Sequence, residues 1–126
     1  MLLELGGLPR DSRSKFPYQL SQAEQLKVLI CRAYFPDPDV LLMDEPFTPL
    51  QSSIRKTLRK EFLHFQKTYP RTVLLVTHDL EEARQLADDI LILDQGRVHQ
   101  LGTRQKVLQN PASLEVQHVL QAAIGT

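Results

Sequence analysis

The sequence predicts an α/β fold with mostly parallel strands, and three observations carry that prediction. Short continuous apolar runs recur at 40–43, 72–77 and 90–93, the lengths of strands rather than helices. Segments with helical spacing separate them, giving strand, helix, strand, helix, strand, the rhythm of right-handed crossovers. Two of the runs lead into chemistry-bearing pairs, Asp44-Glu45 and His78-Asp79, at the strand ends where such sheets bind ligands.

Each element has its own justification. Residues 1–18 read as a short helix followed by an irregular polar loop punctuated by Pro9 and Pro17. Ser21 suits a helix N-cap, and Glu24 three places on completes a capping box. Leu26, Leu29, Ile30 and Ala33 have the spacing of one buried stripe on the helix that follows, which must stop at the prolines of "FPDPD". Val40–Met43 contains no polar residue, as expected of a strand covered on both faces. Residues 51–69 are helical, with Ile54, Leu58, Phe62 and Phe65 on one face and Arg55, Lys56, Arg59 and Lys60 largely outside it. "TVLLVT" is a second buried strand, 79–88 a short helix that starts with acids, and "ILIL" a third strand. Gln95-Gly96 turns the chain tightly into "RVHQLG" as a hairpin partner, and 103–109 and 111–122 read as two terminal helices.

Composition narrows the function classes. The 126 residues suffice for one modest domain. Lys+Arg and Asp+Glu are both 15, so no net field favours nucleic acid or an anionic membrane, and the basic face Arg55–Lys60 reads as solvated helix surface. Cys31 is the only cysteine, which excludes an internal disulfide and fits a reducing compartment. No apolar run approaches the ~20 residues of a membrane helix. Glu4 interrupts the apolar start and no basic segment precedes it, a poor pattern for a signal peptide. The expectation is a cytoplasmic protein. His64, His99 and His118 lack the spacing of a metal site.

The candidate residues carry phosphate chemistry. Asp44, at the end of a buried strand, can hold Mg²⁺ through water, since that ion needs only one or two carboxylates. Glu45 can orient or deprotonate an attacking water. The plainer alternative for such a pair is to cap the next turn. His78 as a neutral imidazole can donate to a phosphate or hold the water-activating carboxylate, or it can be a packing histidine. Asp79 suits an N-cap. Ser21 stands at a helix N-terminus, where free N–H groups attract anions, although the capping box explains it equally well.

Together, "YQLSQAEQLKVLICRAYFPDPDVLLMDEPFTPLQ" and "VLLVTHDLEEARQLADDILILDQGRVHQLG" resemble the ATPase subunits of ABC transporters, from Tyr18 to about Pro111. The family's signature falls on Leu20, Ser21, Gln22, Ala23 and Glu24, its magnesium-binding strand and catalytic glutamate on Val40–Glu45, and its switch histidine on His78. The tail "VLQNPASLEV" is similar to bacterial importers of oxyanions, sugars or thiamine. The resemblance implies ATP and Mg²⁺ as ligands, with Asp44 on the metal, Glu45 and His78 catalytic, and Ser21–Glu24 on the nucleotide of an opposing subunit. It also implies a dimeric partner, transmembrane permease subunits, and a place at the inner face of the cell membrane.

The departures from the family shape the expectation. No G-x-x-x-x-G-K-[ST] loop occurs, because none of Gly6, Gly7, Gly96, Gly102 and Gly125 precedes a lysine. Gln22 and Ala23 replace the signature's two glycines, Glu24 its glutamine, and Gln51 the family's D-loop aspartate. The expected architecture is therefore the C-terminal part of a P-loop NTPase core plus part of the helical signature subdomain. Residues 1–36 would belong to the helical subdomain, 37–102 to the core and 103–126 to terminal helices. Function is expected to be that of a truncated or split ATP-binding protein of solute import. The alternative is a non-catalytic fragment that docks on a full-length ATPase or permease. Without the strand that precedes the phosphate loop, the apolar faces near "VLLVT" and "ILILD" would lie uncovered.

Overall fold

The computed structural model describes residues 6–124. Two compact units make up the chain, Met1–Val76 and Thr77–Thr126. The helix expected at the start of the chain falls partly on residues 1–5, outside the described residues. Within the expected loop, two 3₁₀ turns form at Arg10–Ser14 and Pro17–Gln19, the second opened by a proline whose fixed φ suits a first turn.

In the first unit, helix α1 (Gln22–Tyr34) leads into strand β1 (Val40–Asp44), followed by helix α2 (Ser52–Thr68) and strand β2 (Thr72–Val76). The strands pair in parallel from Val40↔Thr72 to Asp44↔Val76, as a right-handed crossover through α2 allows. Aromatic rings knit the core: Tyr34 meets Phe65 edge-on at 4.7 Å, and Phe47, fully buried, meets Phe62 at 6.3 Å. The Tyr34 hydroxyl donates to Gln66 Oε1, so the ring is buried without stranding its polar end.

The sheet's outer face departs from the expectation of a strand covered on both sides. Leu41 is buried, but Leu42 is 76% exposed and its register partner Leu74 59% exposed, with Val40 and Val76 beside them. Because side chains alternate along a strand, one face of β1–β2 packs on the unit and the other meets solvent. On α1 the expected buried stripe holds at Leu26 but not at Leu29 and Ala33, which are exposed; Cys31 and Tyr34 are buried instead. A further correction concerns Arg59. The spacing places it largely outside the apolar face of α2, yet it is only 5% exposed, with Nε and one terminal nitrogen of its guanidinium themselves buried.

The second unit holds helix α3 (Leu80–Leu86), strands β3 (Asp89–Asp94) and β4 (Arg97–Thr103), and helices α4 (Arg104–Gln109) and α5 (Leu114–Ile124). Its core is Leu80, Ile90, Ile92, Val107, Val116 and Leu120. The third apolar run was expected to extend a parallel sheet. β3 does pair antiparallel with β4, the hairpin expected at Gln95-Gly96, but among the described residues it joins no parallel strand: β1–β2 and β3–β4 are separate two-stranded sheets. The hairpin is local in origin: Gln95 and Gly96 both take left-handed φ (46° and 74°), which folds β4 straight back on β3. Leu91, Leu93, Val98 and Leu101 form an exposed apolar face here too.

Candidate functional site

Asp44 is the last residue of β1. Its carboxylate is exposed and makes no hydrogen bond among the described residues. Glu45 follows in a conformation that the apolar run gives no reason to expect. Its φ is +45°, in the left-handed region that costs a non-glycine residue roughly 1–2 kcal/mol. Its backbone N–H donates to the Val76 carbonyl at 2.8 Å, one bond beyond the β1–β2 ladder. That bond holds the backbone in place while the chain turns away through Pro46. The turn is closed by Thr48 N–H on the Glu45 carbonyl at 3.3 Å and Leu50 N–H on Phe47 at 3.1 Å. Gln51 then stands exposed at the N-cap of α2, where its side chain makes no capping bond.

At the N-terminus of α1 the expected capping box is present. Ser21 Oγ accepts from the Glu24 N–H at 3.2 Å, and Glu24 Oε2 accepts from the Ser21 N–H at 2.8 Å. The Ser21 N–H bond is the main reason that the Glu24 carboxyl lies below its ordinary range. Gln22 and Ala23 form the first turn between them. The carboxylate thus occupies the anion-attracting end of its own helix.

His78 belongs to the second unit, exposed in the segment between β2 and α3. Sequence reasoning missed what fixes that segment. Thr77 Oγ1 donates to Glu82 Oε2 and accepts from the Asp79 N–H at 3.0 Å. Asp79 caps α3 as expected, Oδ1 accepting from Glu81 N–H at 2.9 Å and Glu82 N–H at 3.3 Å. Glu82, only 2% exposed, is the buried carboxylate behind the loop. A signal for it existed in the spacing Thr77–Glu82, a hydroxyl before a helix and an acid in its first turn.

Within the first unit, then, lie Asp44, Glu45, Gln51 and the Ser21–Glu24 turn, while His78 lies in the second. Among the described residues no group of three His, Cys, Asp or Glu side chains gathers as a metal cluster. No helix of the described residues is long and apolar enough to cross a membrane.

No family model matches the chain. Individual proteins do. The chain is 38% identical over 112 residues to the carnitine transport ATP-binding protein OpuCA of Listeria monocytogenes, a match that covers 89% of this chain and 28% of that protein. It is 41% identical to the glycine betaine uptake system ATP-binding protein YehX of Escherichia coli, covering 89% of this chain and 36% of the relative. It is also 41% identical over 115 residues to the Fe(3+) ions import ATP-binding protein FbpC 2 of Rhizobium meliloti, covering 91% and 29%. The chain thus spans about a third of the length of the curated relatives it matches. Over that span it is homologous to the ATP-binding subunits of ABC transporters of the import type.

Proposed function

We propose that the chain supplies the second part of an ABC-type ATPase domain, and that the grip on the polyphosphate comes from a segment outside this sequence. The end of β1 supports this most: an exposed Asp44 carboxylate that makes no hydrogen bond among the described residues, beside a Glu45 whose backbone is pinned to Val76 at 2.8 Å. In this role Asp44 holds Mg²⁺ through water, which fits an oxygen-seeking ion that keeps most of its waters. When bound, the ion neutralises charge on the β- and γ-phosphates of ATP. Glu45 orients the attacking water and takes its proton. His78 donates to the γ-phosphate from the segment that Thr77 braces. Gln51 takes the position from which the family links two sites.

The partners that complete the activity are a second ATPase subunit or the missing half of the domain, and transmembrane permease subunits. They set the chain at the inner face of the cell membrane, in the service of solute import. The relatives' names range over carnitine, glycine betaine, sulfate and iron, so the solute is chosen outside this region.

One observation favours a second role. Ser21 and Glu24 bond to each other, so the signature positions serve the chain's own helix. That supports a docking or modulatory fragment on a full-length ATPase or permease. Titration calorimetry of the chain with Mg-ATP, beside Asp44→Ala, tests the common premise of both roles. No heat up to millimolar nucleotide is expected. Binding that Asp44→Ala removes would mean that the chain grips phosphate by itself.

A further inference from the structure

A cleft in the first unit, apart from the residues assigned above, has the build of a small-molecule site. Its volume is about 400 Å³, and ligand sites commonly measure ~300–1,000 Å³. Leu26, Ile30 and Cys31 of α1 and Leu58, Phe62 and Phe65 of α2 wall it. Burial pushes the Cys31 thiol up, so it stays neutral and adds to the apolar wall.

The polar groups around this body are few, and they differ in kind. Lys27 and Glu61 join α1 to α2 by an ion pair at 2.7 Å, so their charges cancel. Lys60 and His64 also line the cleft, four residues apart on one face of α2. Lys60 is exposed and has no acidic partner among the described residues. An apolar body of this size holds water poorly, and Lys60, a cation without an acidic partner among the described residues, favours an anionic end group beside it.

We infer that this cleft binds a medium-chain fatty acid, its acyl chain among Leu26, Ile30, Phe62 and Phe65 and its carboxylate on Lys60, with His64 as a second polar contact. The inference does not depend on the nucleotide chemistry, because Asp44, Glu45 and His78 take no part in the cleft.

The test is titration of the full chain with decanoate, octanoate and decanol, read by calorimetry and by the rate of Cys31 alkylation. Saturable one-to-one binding of decanoate that slows alkylation is expected. Octanoate, two methylenes shorter, should bind about 15-fold more weakly, since each buried methylene contributes roughly four-fold. Lys60→Glu should weaken decanoate by about five-fold and leave decanol unchanged. Lys60 is exposed, so the variant should melt as the parent does, and Ile30→Trp should block both ligands by filling the cleft. Decanoate and decanol binding alike and indifferent to Lys60→Glu would overturn the inference. So would the absence of saturable binding, or a dimer whose interface alone protects Cys31.

Discussion

Glu24 accepts the Ser21 N–H at 2.8 Å while Ser21 accepts the Glu24 N–H at 3.2 Å, so two residues at signature positions close the first turn of α1 on each other. The helix dipole and the free N–H groups, which elsewhere attract a phosphate, act here on a carboxylate of the same chain. Ser21→Ala should therefore destabilise the first unit by about 1 kcal/mol, read as a lower urea midpoint with an unchanged m value.

The same box makes a pH prediction. The Glu24 carboxyl is held below its ordinary value of about 4.5, chiefly by the Ser21 N–H. Its contribution to stability is thus complete above that value and is lost as pH falls through the lower, folded one. Melting curves between about pH 6 and pH 3 should show part of the acid loss missing in Glu24→Gln. Equal acid sensitivity in parent and variant would exclude the box as its source.

Glu45 stores strain where chemistry is proposed. Its φ of +45° suits glycine better than any residue with a Cβ. Glu45→Gly should be more stable than Glu45→Ala by about 1 kcal/mol, although neither can activate a water. If alanine were the more stable, the left-handed conformation would not exist in solution.

Thr77 should matter beyond its size. Thr77→Val removes the donor to Glu82 and the acceptor for the Asp79 N–H. A cost of about 1–3 kcal/mol is expected because Glu82 is buried. A destabilisation below half of that would show that the hydroxyl is replaced by water.

The outer face of β1–β2 should govern association. Leu42→Thr with Leu74→Thr should change stability by less than about 0.5 kcal/mol, because both side chains already meet solvent. The double variant should stay monomeric, by light scattering, at concentrations where the parent self-associates.

Much of this was legible in local patterns. The box needed only Ser21 and Glu24 three apart, and the hairpin only Gln95-Gly96 between apolar runs. Both depend on neighbours in sequence. Membership of a sheet does not: "ILIL" reads the same whether or not its second edge pairs with a parallel strand, and among the described residues β3 forms no sheet with β1–β2. Burial of Arg59 was illegible because a charged side chain is normally exposed, and here the guanidinium itself is buried. The left-handed Glu45 was illegible because it results from the bond to Val76, contributed by a strand some thirty residues on. Of the proposed site, the end of β1 and the first turn of α1 could be read in advance, but not the brace of Thr77 and Glu82 behind His78.

The most direct test is complementation: ATP hydrolysis by this chain mixed with the part of the Escherichia coli glycine betaine ATP-binding relative that carries its phosphate-binding loop. Neither piece alone should turn over Mg-ATP. The mixture should, and Glu45→Gln in this chain should abolish it. Hydrolysis by the mixture that survives Glu45→Gln, or hydrolysis by this chain alone, would contradict the claim that it carries the catalytic acids but not the grip on ATP.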